Sequence, residues 1–286
     1  MMFDKAVPKN KGVLFYKILK YASYVIAAVS VLALALLVFQ IFANGLQALN
    51  WHFLFGEYDI LGDKPSLRPS LVTTAYLILI SISIAVPLGV ACAIYLTEYT
   101  KKGSKFVNVV RMALDILAGL PSIIFALFGI LFFCGMLGFG RSVIAGALTM
   151  VLVILPPVVR ATEEALKAVP DSLREGSLAL GAGKVRTVSK VVLPNAIAGI
   201  VSAIIISMGR VVGESAVILL TLGGVHTQAP NGVTDPGSSL ATTLYKFANT
   251  GFRAEAYATG IVLLAIVFSL NLIAYYMEHR LTKKKR

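Results

Sequence analysis

An arginine and a glutamate lie four residues apart in one of the most apolar stretches of the chain, at Arg210 and Glu214. At helical spacing they share one face with a set of small or polar residues: Gly199, Ala203, Ser207 and Thr221. An unpaired arginine in lipid costs at least about 2.5–3.5 kcal/mol, so Glu214 is the expected partner of Arg210. Two interpretations stay open. Either the pair fixes helix packing, or Arg210 attracts an anion on a water-lined path while Glu214 keeps that anion from being trapped.

Two further sets of charges flank the apolar segments. Arg160 follows Pro156 and Pro157 at the expected inner end of a span. Its charge fits either the ordinary excess of basic residues on the inner side or a second cation on the same anion path. Arg111 and Asp115 are also four residues apart, and they predict an interfacial ion pair without a binding role.

A polar loop, residues 160–195, separates two apolar segments and is suited to binding another protein. Its pattern is Glu-x5-Gly-x9-Val-x-Leu-Pro, and its key positions are Glu175, Gly176, Ser177, Gly181, Val191, Leu193 and Pro194. We expect two short helices here. Asp171 is the predicted N-cap of the first, Gly181 or Gly183 ends it, and Pro194 stops the second.

Enzyme chemistry has no candidate residues. The sequence contains no paired carboxylates, no Ser/His/Asp arrangement and no metal-ligand spacing. The segment from Gly181 to Lys184 resembles the end of a phosphate-binding P-loop, but Leu178 and Val185 replace the required Gly and Ser or Thr. We therefore predict that the chain is not an enzyme and holds no nucleotide, metal or other cofactor of its own.

The elements that must position these residues are membrane helices. Hydrophobic residues make up 57% of the chain and charged residues only 14%, with a mean hydropathy of +0.82. Such a chain lacks the polar surface of a soluble globule, and its apolar runs are long enough to cross a bilayer. We predict an all-α integral membrane protein with six spans: Tyr21–Ala43, Thr73–Leu96, Met112–Gly135, Ser142–Val159, Ala196–Leu222 and Tyr257–Met277.

Proline and glycine are expected to interrupt three of these spans. The interruptions are predicted at Pro87 with Gly89, at Gly119 with Pro121, and at Pro156 with Pro157. Breaks of this kind are tolerated where a neighbouring helix or a cavity satisfies the freed backbone groups.

Lysine and arginine predict the orientation. With both termini in the cytoplasm, 20 of the 26 basic residues lie inside, five lie in outer loops, and Arg210 lies within a span. This asymmetry follows the positive-inside rule and accounts for the net charge of +12, so we expect no nucleic acid partner. The predicted organisation is a cytoplasmic tail (1–20), a first span with its outer loop (21–70), a core (71–277) and a basic tail (278–286), which anchors the last helix inside or binds anionic membrane lipid.

The loop spacing resembles the EAA loop of ABC-importer permeases, with Gly176 and Ser177 in place of two alanines. Segments 117–129, 155–182 and 209–224 are similar to phosphate-specific ABC-importer permeases, particularly the PstA-type subunit. The resemblance covers most of residues 71–277 and implies a type I (MetI-like) importer permease in the cell membrane. It also implies that Arg160, Arg210 and Glu214 lie on the phosphate path, and that residues 175–181 dock on an ATPase.

The same resemblance implies a complex with a PstC-type permease, two ATP-binding subunits that hold ATP and magnesium, and an extracytoplasmic phosphate-binding protein. Two alternatives remain at this stage. One is import of another oxyanion, such as sulfate or molybdate, by the same machinery, because those permeases carry a similar arginine and glutamate element. The other is an ATP-independent carrier, channel or membrane enzyme.

Overall fold

The computed structural model describes residues 9–59, 64–101, 103–224 and 227–283. Expectations for the outermost parts of the two tails, 1–8 and 284–286, lie outside this range. The described residues form twelve α-helices: α1 (Lys9–Gly45), α2 (Trp51–Phe55), α3 (Arg68–Ile94), α4 (Lys105–Gly119), α5 (Ser122–Gly129), α6 (Val143–Lys167), α7 (Asp171–Ala179), α8 (Lys184–Thr187), α9 (Leu193–Gly213), α10 (Ala216–Thr221), α11 (Leu240–Asn249) and α12 (Arg253–Lys283).

Three π turns extend these helices. They follow α3 at Tyr95–Tyr99, α5 at Ile130–Met136 and α8 at Val188–Val192. The third joins α8 to α9, so that Lys184–Gly213 runs as one helical segment of 30 residues. The expectation that Pro194 stops a helix is therefore wrong. Pro194 lies in the first turn of α9, directly after the π turn. Proline is tolerated there because the π turn has already changed the helical hydrogen-bond pattern, so the missing N–H of Pro194 costs no further bond.

Within the described part of the chain, five helical segments are long and apolar enough to cross a membrane: Phe15–Gly45, Arg68–Tyr99, Val143–Lys167, Lys184–Gly213 and Arg253–Leu281. The third predicted span, Met112–Gly135, corresponds to α4 and α5 with its π turn, which together pass the same test but are bent by 97°. The bend lies at Leu120 and Pro121, whose backbones are extended. Proline disfavours the helical conformation of the residue before it, and the interruption predicted at Gly119 with Pro121 is confirmed.

The other two predicted interruptions are absent. Pro87 lies inside the continuous helix α3, and Pro156 and Pro157 lie inside α6. These two helices pack along each other so closely that a Cβ atom at Gly89 would lie 2.7 Å from Val158 Cγ1. Close packing of neighbouring helices makes proline tolerable in membrane helices without a break.

The core lies around α6, which packs against α3, α5 and α9. Its largest buried cluster includes Leu77, Met150, Ile154, Val211 and Ile218. Helix α12 packs against α9, α11 and α1. The apolar window of α1 is not buried at all within this chain, whereas 67% of the α6 window is buried. Helix α6 is thus the central element of the bundle, and α1 offers its apolar surface to the membrane or to another subunit.

Candidate functional site

Charged side chains of α4 form ion pairs with charged side chains in the C-terminal half of α6. Arg111 donates from Nη2 and Nε to Glu163 Oε1, at 2.9 and 3.2 Å. Lys167 Nζ lies 3.5 Å from the other Glu163 oxygen. Glu163 is only 7% exposed at its side chain, so it needs these cations to balance its charge. The predicted pair of Arg111 with Asp115 is wrong, because the buried carboxylate on α6 binds Arg111.

Arg160 forms a salt bridge with Asp115, and both side chains are about half exposed. The two residues line a cavity of about 230 Å³ together with Arg111 and Glu163. An exposed pair of this kind is weak and can exchange partners with an incoming anion. The structure therefore places Arg160 beside a solvent-accessible cavity on α6 whose lining holds three basic side chains and three carboxylates.

Arg210 lies in the last turn of α9, and its residue is exposed. Within the described ranges it has no hydrogen bond or ion pair. Since an arginine in lipid is costly without a partner, a single chain leaves this cation to be satisfied by water, by another subunit or by an anion.

Glu214 does not pair with Arg210, contrary to the prediction from their spacing. Helix α9 ends at Gly213, and the Glu214 backbone is extended, with φ −76° and ψ 123°. Its Oε1 accepts hydrogen bonds from the backbone N–H groups of Ala216 and Val217, at 3.1 and 3.4 Å. The free N–H groups at the start of α10 therefore bind this carboxylate, and the helix break carries Glu214 off the face that Arg210 occupies.

The small and polar stripe on α9 packs against protein, as predicted, but it is shorter than predicted. Ala203 and Ser207 are buried, and a Cβ atom at Gly199 would lie 2.8 Å from Ala165 Cβ on α6. Thr221 belongs to the separate helix α10. The opposite face is buried in part as well, at Ile205 and Val212. The stripe alone therefore does not divide α9 into a path side and a lipid side.

The loop between α6 and α9 exposes apolar side chains outside the bundle. Leu180 is 91% exposed, and Leu173, Leu178 and Val185 are also exposed. Helix α7 has no buried residue. Apolar surface left open on a short helix marks a contact with another protein. The exposed face includes Glu175 and Gly176, so the structure presents the residues of the predicted docking segment.

Backbone geometry fixes how this loop folds. The first predicted short helix is confirmed as α7, although Pro170, not Asp171, occupies its N-cap position. The second is not a separate short helix, because α8 is the start of the continuous segment Lys184–Gly213. Gly181 has φ +81°, a conformation that favours glycine and ends the helix. Ser177 Oγ lies 2.9 Å from Thr187 Oγ1 and ties α7 to α8. Leu193 lies in the first turn of α9, partly buried.

Arg174 and Glu98 are polar residues that the sequence analysis missed. Arg174 lies on α7 and donates to Glu98, 76 residues earlier in the π turn that follows α3. The i,i+3 spacing of Asp171 and Arg174 indicates a local ion pair, which is present. No signal in a single sequence indicates the distant partner, because the pairing depends on how α7 folds back towards α3.

Comparison with known proteins places this geometry in context. Residues 85–283 match the family described as binding-protein-dependent transport system inner membrane component. A protein of Bacillus subtilis named Probable ABC transporter permease protein YqgI is 32% identical over 260 residues, covering 85% of this chain and 88% of the relative. Phosphate transport system permease protein PstA 1 of Mycobacterium tuberculosis (strain H37Rv) is 39% identical over 206 residues, covering 71% of this chain and 66% of the relative.

Solved structures share the same fold. An inward-facing MetNI methionine ABC transporter chain superposes with a TM-score of 0.60 at 24% identity, over 75% of this chain and 95% of the other. A chain of a bacterial ABC transporter that imports the acidic polysaccharide alginate superposes with a TM-score of 0.65 at 16% identity, over 93% of this chain and 98% of the other. These similarities confirm the MetI-like permease fold.

Proposed function

The chain belongs to the family of binding-protein-dependent transport system inner-membrane components, and we propose on this basis that it is the PstA-type permease subunit of an ATP-driven phosphate importer. Several relatives carry the name of a phosphate transport system permease, at 32–47% identity. The subunit is a non-catalytic, multi-pass protein of the bacterial inner membrane, with both termini in the cytoplasm. A separate polypeptide hydrolyses ATP.

The observation that carries the anion path is the open guanidinium of Arg210. It lies at the end of α9, beside the break at Glu214 and Ser215, and no carboxylate in the described part of the chain neutralises it. Phosphate near neutral pH carries between one and two negative charges, and its passage through a low-dielectric path requires compensating positive charge. Arg210 supplies that charge, and Glu214 contributes by holding the break in α9 through its backbone hydrogen bonds.

Arg160 supplies the second cation of the path. Its bond to Asp115 keeps the guanidinium in place, and the solvent access of the pair lets a passing anion replace the carboxylate. An anion that competes with Asp115 is bound weakly and is released quickly. This arrangement suits a permease that must not retain its substrate, so selectivity resides in the extracytoplasmic phosphate-binding protein.

The docking surface for the ATPase consists of the exposed face of α7 and the adjoining Leu180 and Val185. Leu180, directly after α7, and Val185, on α8, provide apolar contacts, and Glu175 on α7 provides a charge at the rim. The complete importer contains this chain, a PstC-type permease, two ATP-binding subunits that hold ATP and magnesium, and the phosphate-binding protein. The uncovered apolar surface of α1 faces membrane lipid.

Transport by the purified complex in proteoliposomes tests this function. We expect ATP inside the vesicles and the phosphate-binding protein outside to drive uptake of radiolabelled phosphate, with little inhibition by excess sulfate or molybdate. The control is the same complex with an ATPase subunit unable to hydrolyse ATP, which should give only background uptake. Uptake that is unaffected by that control would exclude an importer driven by ATP. Preferential uptake of sulfate or molybdate would assign the permease to a different oxyanion.

A further inference from the structure

All five N–H donors of the Arg174 guanidinium are satisfied, and by four different groups. Nε and Nη2 donate to Glu98 Oε1 at 3.2 and 2.9 Å. Nη2 also donates to the carbonyl of Leu166 at 2.7 Å. Nη1 donates to the carbonyl of Val169 at 2.6 Å and to Asp171 Oδ1 at 3.1 Å. A guanidinium has five donors in a rigid plane, so this side chain is fully used and held in one orientation.

Burial distinguishes this contact from an ordinary surface ion pair. The side chain of Arg174 is 16% exposed and that of Glu98 is 8% exposed. Exposed ion pairs contribute little to stability because water competes for both partners. A buried guanidinium that donates two hydrogen bonds to one carboxylate keeps its geometry. The two carbonyl partners come from the last turn of α6 and the segment after it, where the negative end of the helix dipole favours a cation.

Three elements meet at Arg174: α7, the π turn after α3, and the end of α6. Helix α7 buries none of its residues, so burial of apolar side chains adds little to its attachment to the bundle. Glu98 belongs to the π turn that ends α3, and Leu166 belongs to the end of α6. Helices α3 and α6 pack along each other through the core. Arg174 therefore joins α7 to the end of α6 and to the π turn after α3, whereas Ser177 and Thr187 tie α7 to α8.

We propose that Arg174 is the positioning residue through which movement of α7 reaches α3 and α6 during the transport cycle. The inference rests on the proposed function, in which the ATPase grips α7. With Arg174 bound to Glu98 and to the end of α6, a displacement of α7 moves both helices as one body. Without this anchor α7 stays bound to the ATPase but passes less of its movement to α3 and α6, so that ATP hydrolysis drives less transport.

Arg174→Lys and Glu98→Gln test the anchor in the assembled importer. Lysine keeps the charge but cannot reach four partners with one nitrogen, and glutamine removes the charge while keeping the shape. We expect both variants to retain the ATPase on purification and to hydrolyse ATP, while phosphate transported per ATP falls about fivefold or more. The matched controls are Arg186→Lys and Glu164→Gln, which change exposed residues of the same region that form no salt bridge in the described structure.

Three results would overturn the anchor. The first is an unchanged ratio of phosphate to ATP in both variants. The second is an equal fall in the controls, and the third is a proportional loss of assembly, hydrolysis and uptake, which indicates a role in folding alone. If the unmodified complex gives no ATP-dependent uptake, the proposed function fails instead.

A distance measurement tests the anchor without transport. Spin labels at Ser172→Cys on α7 and Leu88→Cys on α3, in a chain lacking both native cysteines, report how firmly the two helices are joined. We expect a narrow distance distribution that broadens when Arg174→Lys is added and stays narrow with Arg186→Lys. An unchanged width with Arg174→Lys would show that other contacts hold α7 in place.

Discussion

Arg210 and Glu214 should act independently, because the structure separates them. Arg210 forms no ion pair in the part of the chain that the structure describes, so Arg210→Gln should change the free energy of unfolding by no more than about 0.5 kcal/mol. Glu214→Gln keeps an acceptor oxygen for the N–H groups of Ala216 and Val217, so it should cost less than about 1 kcal/mol. The double variant should equal the sum of the two single changes.

Transport should separate the two residues further. A hydrogen bond to a charged group contributes about 1.5–3 kcal/mol, so losing the Arg210 cation should lower phosphate uptake roughly tenfold to 150-fold. Arg210→Lys should retain part of the activity because it preserves the charge. Glu214→Gln should have a smaller effect, through the break between α9 and α10. The double variant should transport no better than Arg210→Gln alone.

The assay is phosphate uptake normalised to the assembled complex, with ATP hydrolysis and thermal unfolding in detergent measured alongside. Additivity of the two substitutions is expected within about 0.5 kcal/mol for groups that do not touch. Recovery of uptake in the double variant would refute the reasoning, because it would show that the two charges pair in the working protein. Normal uptake by Arg210→Gln would refute the anion role of Arg210.

Three further predictions concern docking, topology and packing. Glu175→Lys should leave the chain in the membrane but release the ATPase during purification; undiminished co-purification with normal uptake would contradict docking at α7. Cysteines at Lys184 and Asn231, in a chain without native cysteines, should react with an impermeant thiol reagent from opposite sides, and labelling of both in intact cells would contradict the orientation. Gly129→Ala should destabilise the folded protein by about 1–3 kcal/mol, because the added Cβ would lie 2.3 Å from Thr149 Oγ1. Gly176→Ala, on the exposed helix α7, should stabilise it by about 0.5–1 kcal/mol. Equal unfolding temperatures for these two variants would contradict the packing.

The sequence by itself determined the membrane class, most of the spans and the family. These properties depend on local hydropathy and on spacing along the chain, which a single sequence contains in full. Residues 85–283 match the family that the spacing of Glu175, Gly181 and Pro194 indicates. The first short helix of the loop, α7, also follows from local signals, chiefly the glycine at position 181, which has a positive φ.

Helix continuity depended on more than local signals. Proline predicts a break equally at positions 87, 121 and 156, yet only Pro121 marks a bend. The close packing of α3 against α6 keeps the other two helices continuous. The helix break after Gly213 has no proline near it, so the continuous apolar run of the fifth predicted span gave no signal for a break there.

Tertiary structure alone decided which charges meet. Helical spacing predicts pairs within one helix, at Arg210 with Glu214 and at Arg111 with Asp115, but neither pair forms within the described residues. A charge that packing buries is more costly to leave unpaired than an exposed one, so the buried Glu163 and Glu98 bind arginines from other elements. Burial is set by how distant helices pack, and spacing along the chain does not contain that information. The link from Arg174 to the bundle is therefore visible only in the folded protein.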